Sequence, residues 1–257
     1  MTYFEFLIKY LIVPILLLLM ASRWLTINSF PQYFWRAVWI HVLLALVYTT
    51  PWDNYLVATG VWYYNPELVT GITIGYVPIE EYTFFILETI FAGLWWRLAF
   101  VRFSDASAQP APVSNFNSLC AALLTAVWSI SAWQFFRGPQ SLTYISIILF
   151  WALPAILPQI LFGADILWRR RKLITLAILP LGLYLSFVDS LAIYSSTWTI
   201  ASSQSTGILL GGILPLEEAL FFFVTVTLVT FGLTLLLVPE SATRFEQLKV
   251  KVWRLRL

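Results

Sequence analysis

Apolar runs of about 20 residues recur along the chain, and that length crosses a ~30 Å hydrocarbon core as a helix. In such a core every backbone N–H and C=O must be paired within the chain, which leaves helices or a closed barrel. The runs are continuous and do not alternate with period two, so they are read as helices. Charged residues make up only 11% of the chain and apolar ones 60%, against roughly a quarter charged in soluble domains. No soluble domain is expected beside the bundle. The spans predicted are Tyr3–Ala21, Phe34–Thr50, Pro78–Phe100, Phe116–Phe136, Leu142–Ile166, Leu173–Tyr194 and Ile213–Val238. The fold expected is therefore all-α, a multi-pass membrane bundle of about seven transmembrane helices. The first run lacks a basic cluster before it and has Arg23 behind it, the reverse of a secretory signal.

Basic residues set the expected orientation. Arg23, Arg36, Arg97, Arg102, Arg169 to Lys172 and the tail residues Arg244, Lys249, Lys251, Arg254 and Arg256 all fall on one side of this span plan. Only Lys9 and Arg137 fall elsewhere. The tail is expected in the cytoplasm and the N-terminus outside, in an integral membrane protein of a bacterial cytoplasmic membrane type. The tail is read either as an interfacial helix on the anionic leaflet or as an ordinary positive-inside tail.

Two apolar runs open with a carboxylate pair. Pro78-Ile79-Glu80-Glu81 precedes Phe84-Phe85, and Pro215-Leu216-Glu217-Glu218 precedes Phe221-Phe222. A shift of 136 residues also carries Asp53 onto Asp189, Trp62 onto Trp198 and Thr70-Gly71-Ile72 onto Thr206-Gly207-Ile208. After one inserted residue the shift is 137 and the glutamate pairs coincide. This is an internal repeat. It divides the chain into a first three-helix unit (1–103), a linker and connecting helix (104–140), a second three-helix unit (141–240) and a basic tail (241–257). The extra helix makes the two units parallel, related by an axis along the membrane normal. Equivalent residues then lie at the same depth.

Acidic residues in a first helical turn face the positive end of the helix dipole, with proline tolerated beside them. One matched pair has that bland explanation; two, each with an upstream aspartate, point to a site. Neighbouring helix positions point about 100° apart, so one glutamate of each pair is expected to face the bundle and the other a neighbour. Crowded, poorly solvated carboxylates cannot all ionise, which sets up an acid/base couple. No Lys or Arg occurs in the second and sixth loops, so shared protons or a bound cation are expected in place of salt bridges. The catalytic candidates are Glu80, Glu81, Glu217 and Glu218, with Asp53 and Asp189 in support. Trp62, Trp198, Phe84, Phe85, Phe221 and Phe222 are candidates for substrate binding, since aromatic faces stabilise positive charge. Glu88, answered in the repeat by Thr225, is expected deeper on the face of Glu81 and makes the halves chemically unequal. Gly71, Gly75, Gly207 and Gly211 are expected at close backbone approaches. Asn54, answered by Ser190, has no clear role.

Cys120 is read as a small buried apolar residue and His41 as a helix-packing hydrogen bonder. Neither suggests a metal site. A net charge of +2 is too small to imply nucleic acid.

A Pro-x-Glu-Glu heading a transmembrane helix, repeated in two three-helix units with an upstream Asp, resembles the lycopene cyclase domain family. The chain is similar to the fused form of its small-membrane-protein type. The resemblance implies a cofactor-free isomerisation that takes lycopene or a related carotenoid from membrane lipid, with other carotenoid-pathway enzymes as neighbours. An acid protonates the open ψ-end at C2, the C5=C6 bond attacks the cation at C1, and a base removes the C6 proton to leave a β-ring. The product is β-carotene, through γ-carotene. The resemblance extends to relatives acting on longer (C50) carotenoids. Other readings are a small three-one-three transporter and an assembly subunit of the pigment pathway. The chain has no Gly-x-Gly-x-x-Gly for a flavin-dependent cyclase, no lysine in the last span for retinal, and no paired DxxxD for magnesium pyrophosphate.

Overall fold

The computed structural model describes residues 1–24, 32–103 and 115–254, with side chains to 249. The predicted linker 104–114 and tail residue Arg256 lie outside the described residues, and the side chains of Lys251 and Arg254 are not described. Among the described residues, eight helices carry the fold. They are α1 (Tyr3–Arg23, with a π-helical turn at Ile8–Ile12), α2 (Phe34–Ala58), α3 (Ile79–Arg102) and α4 (Asn115–Arg137), then α5 (Thr143–Arg169), α6 (Arg171–Tyr194), α7 (Leu216–Leu237) and α8 (Pro239–Arg254). Among the described residues, six of these are long and apolar enough to cross a membrane. The helix α2 has the length but not the hydropathy, because Arg36, His41 and Asp53 interrupt it.

The two third helices, α3 and α7, stand at the centre. Each packs on the first and second helices of its own unit and on the second helix of the other. The connecting helix α4 leans on α5 and keeps few side chains buried. Cys120, which lies on it, is half-buried instead of buried. The cause is that α4 touches the bundle along one edge only.

Short strands gather at one end of the bundle. They are β1 (Trp62–Tyr64), β2 (Thr73–Ile74), β3 (Val77–Pro78), β4 (Trp198–Ile200), β5 (Leu209–Leu210) and β6 (Leu214–Pro215). The pairing of β1 with β4 is antiparallel and joins the two units, Tyr63 opposite Thr199. The hairpins β2–β3 and β5–β6 lead into α3 and α7. Pro78 and Pro215 are the N-cap residues, one position before the first turn.

The matched glycines belong to these hairpins and not to helix interfaces. Gly71, Gly207 and Gly211 have positive φ and open space beside the α-carbon. Their requirement is a left-handed turn that other residues adopt at a cost, not close packing. Gly75 does sit against a neighbour, Asn54. The Asn54 Oδ1 accepts from the Tyr76 N–H at 2.8 Å, and its amide donates to the Tyr82 hydroxyl at 3.1 Å. Asn54 therefore pins the first hairpin to α2. His41 is buried, with Nδ1 2.7 Å from the Ala37 carbonyl and the ring packed against Gly232 of α7. It is a packing residue.

The tail helix α8 is clamped at the opposite end. Arg244 meets Asp165 at 2.6 Å and Arg170 meets Glu240 at 2.7 Å, with all four side chains almost out of solvent.

Candidate active site

All six predicted carboxylates are buried, from Asp53 and Glu217 at 0% exposed to Glu81 at 6%. The pairs divide into two roles, as helix geometry requires. Glu80 and Glu217 turn back toward the incoming loop. Each accepts a backbone N–H at 2.6 Å, from Thr70 and Thr206 respectively. They brace the loops that aim α3 and α7. Glu81 and Glu218 point inward instead.

Glu81 and Glu218 each receive a tyrosine from the first helix of their own unit. The Tyr3 hydroxyl donates to Glu81 Oε2 at 2.5 Å, and the Tyr144 hydroxyl donates to Glu218 Oε1 at 2.5 Å. This is the short end of the range for O–H···O hydrogen bonds. Glu81 has a second donor, the Tyr64 hydroxyl at 3.0 Å. Burial, with the Glu81 charge beside it, pushes Tyr64 well above the ordinary tyrosine range. It stays a hydroxyl and serves as a donor. The repeat answers Tyr64 with Ile200, so the two glutamates are unequally held.

One cavity of about 30 Å³ joins Glu81, Glu218 and Asp189. Its walls include Trp62, Trp198, Phe84, Phe221 and Phe222. The indole N–H of Trp198 donates to Asp189 Oδ1 at 3.0 Å. Asp53 lies beside Glu81, and both of its oxygens lack a hydrogen-bond partner among the described residues. The tryptophans cross between units. Trp198 packs on Tyr3 at 4.8 Å between ring centroids, and Trp62 on Tyr144 at 5.8 Å. Phe84 and Phe222 meet edge to face at 6.1 Å, and Phe221 and Phe222 at 5.3 Å. The pairing of β1 with β4 holds this exchange in place.

Of the predicted site residues, Phe85 and Glu88 lie outside the cavity. They line a larger groove of about 380 Å³ beside it, where the Thr225 hydroxyl donates to Glu88 at 2.6 Å. Glu80, Glu217 and Asp53 are close neighbours of the cavity without lining it. The sequence reading did not single out Tyr3, Tyr64 or Tyr144. Two of them left a signal: a shift of 141 residues carries Thr2-Tyr3 onto Thr143-Tyr144. That offset differs from the one between the glutamate pairs, because the loops differ in length. Tyr64 left none, having no counterpart.

The cavity thus holds two hydroxyl-bonded carboxyl groups, a third carboxyl on an indole, and phenylalanine faces between them. Such a set can give a proton, take one back and stabilise a cation meanwhile.

The model of the lycopene cyclase family matches residues 2–98 and 141–236. A lycopene beta-cyclase of Halobacterium salinarum is 38% identical over 202 residues, covering 78% of this chain and 82% of that one. A bifunctional lycopene cyclase/phytoene synthase of Phycomyces blakesleeanus is 34% identical over 198 residues, covering 74% of this chain and 32% of that one. A protein of the same description from Phaeosphaeria nodorum is 32% identical over 244 residues, covering 88% and 39%. The chain therefore spans only about a third of the length of these two fungal relatives. No solved structure matches. With its family match covering most of both units and a relative this similar over most of its length, the chain belongs to the lycopene cyclase family.

Proposed function

We propose that the chain is a membrane-embedded lycopene β-cyclase, an isomerase of the intramolecular lyase type that closes β-rings at the ψ-ends of lycopene. The observation that carries this reading is the shared cavity, with Glu81 and Glu218 each hydrogen-bonded by a tyrosine and facing phenylalanine walls. The relative from Halobacterium salinarum bears the name of that activity. The two repeat units, 1–103 and 141–240, each supply one inward glutamate and one tryptophan, with two tyrosine donors from the first unit and one from the second. The N-terminus faces outside and the tail the cytoplasm, which puts the cavity in the outer half of the bilayer.

In this mechanism a carboxylic acid gives its proton to C2 of the terminal double bond, leaving the cation at C1. The C5=C6 bond attacks C1, the six-membered ring closes, and the positive charge moves to C5. A carboxylate removes the C6 proton and the β-ring double bond forms. Atoms balance without oxidant or reductant, so no cofactor is required. Two hydroxyl donors on one carboxylate stabilise its charged form, which suits Glu81 to the accepting role. Glu218, with one hydroxyl donor, suits the acid. The faces of Phe84, Phe221 and Phe222 hold the cation between the two events. The surrounding apolar packing excludes water, which would otherwise capture the cation as an alcohol.

The test is expression in cells that accumulate lycopene, followed by chromatography of the pigments. Conversion to β-carotene or a one-ring product is expected. Unchanged lycopene, with the protein demonstrated in the membrane, would overturn the reading and return attention to longer carotenoids.

A further inference from the structure

Two grooves run along the bundle, and the repeat carries one onto the other. The first, about 380 Å³, lies between α2, α3, α5 and α7. The second, about 350 Å³, lies between α1, α3 and α6. They share a signature bond. The Tyr48 hydroxyl donates to the Trp151 carbonyl at 2.8 Å, and its repeat equivalent Tyr184 donates to the Tyr10 carbonyl at 3.0 Å. Exposed apolar side chains line both mouths, Leu44 in the first and Leu17 in the second.

The inner ends differ. The first groove reaches Phe221, and Phe221 is also a wall of the carboxylate cavity. The second groove has the buried Phe91 and Leu181 in its lining and shares no lining residue with that cavity. Side-chain size accounts for this. Ala45 and Thr49 of α2 are answered on α6 by Leu181 and Leu185, which are 2% and 0% exposed and fill the corresponding space. An aromatic stack adjoins the shared residue Phe221. Trp151 stacks on Trp52 at 4.8 Å, and Trp52 stacks on Phe221 at 5.5 Å.

Resting on the cyclase reading, we infer that the first groove alone holds the polyene arm of the substrate, an end-acyclic hydrocarbon whose ψ-end passes Phe221 to reach Glu81 and Glu218. The two halves then make one reactive site, not two. A two-ring product forms in two rounds, with the one-ring molecule released and rebound by its other end.

The test uses the full chain in native membranes. Ala45→Leu combined with Thr49→Leu gives the first groove the side chains of the second, and Leu17→Trp fills the second. The double variant is expected to lose ring formation at least tenfold, and Leu17→Trp to keep the wild-type rate, with one-ring product preceding two-ring product. A second measurement reads binding without turnover. In a Cys120→Ser background, Ala155→Cys reports on the first groove and Leu17→Cys on the second, through labelling by a membrane-permeant maleimide. Lycopene is expected to slow labelling at residue 155 several-fold and to leave residue 17 unchanged. Full activity in a folded double variant, reduced activity in Leu17→Trp, or lycopene protection at residue 17 would overturn the inference. If the wild-type chain closes no ring, the cyclase reading fails and the labelling alone decides the groove. It decides as well if the double variant fails to fold.

Discussion

The Thr225 hydroxyl donates to Glu88 Oε1 at 2.6 Å, and these two residues hold the same position in the two repeat units. A position duplicated as carboxylate and hydroxyl thus becomes a bonded pair where α3 and α7 meet. The bond lies in the groove and outside the cavity of Glu81 and Glu218. Glu88→Gln, which preserves an acceptor, is expected to keep ring formation within about threefold. Thr225→Val leaves the buried carboxyl without its donor and should cost about 1–3 kcal/mol of stability. Pigment analysis and thermal unfolding in detergent check the two outcomes.

The two glutamates of each pair should separate by phenotype. Glu81→Gln and Glu218→Gln remove the proton acceptor and donor and are expected to lower ring formation by at least about 10²-fold. Glu80→Gln and Glu217→Gln still offer an amide oxygen to Thr70 and Thr206, so both should insert and retain activity. Glu80→Leu and Glu217→Leu would lose the brace and lower the melting temperature. Initial rates measured beside unfolding curves distinguish a lost site from a lost fold.

Tyrosine deletions should be unequal. Tyr144→Phe strips Glu218 of its hydroxyl, whereas Tyr3→Phe leaves Glu81 with Tyr64. The Tyr144 variant is expected to be the slower of the two. Combining Tyr3→Phe with Tyr64→Phe should cost more than the two single effects together, as groups sharing one partner are not additive. A double-mutant cycle on initial rates measures the difference.

Ring closure in deuterium oxide should place one deuterium at C2 of each new ring, because the donated proton comes from an exchangeable carboxyl. Mass spectrometry and proton NMR of the product read it. A ring without label would mean that the proton is internal to the substrate.

The tail clamp predicts a contrast in stability. Arg244→Met leaves Asp165 buried and without its partner, which should cost about 3–5 kcal/mol. Lys249→Met breaks the exposed pair with Glu246, 56% and 67% exposed, and should be nearly neutral. Melting temperatures in detergent compare them.

Long helices, the repeated sequence pattern and the carboxylates of the candidate site were legible in the residues. An apolar run of span length has few ways to satisfy its backbone, and matched rare residues expose a repeat without coordinates. Burial of Glu80, Glu81, Glu217 and Glu218 follows from where they stand on such helices. Their division of labour does not, because Glu80 and Glu217 are bonded by loop N–H groups whose positions depend on the hairpin turns. The glycines show the same limit. Spaced like helix-packing residues, they serve turns, and spacing alone does not distinguish the two.

By itself the sequence determined a helical membrane chain built from two like units with acidic residues at matched heads. Those are properties of local composition and periodicity, and the bilayer as solvent makes them decisive. Only the tertiary structure decided that Tyr3 and Tyr144 hold Glu81 and Glu218, that Trp62 and Trp198 cross to the opposite unit, and that one groove extends to Phe221 at the wall of the carboxylate cavity while Leu181 and Leu185 take up the corresponding space beside its twin. Each of these depends on which surfaces of separate helices meet. That is set by side-chain shape summed over the whole bundle, which no window of sequence contains.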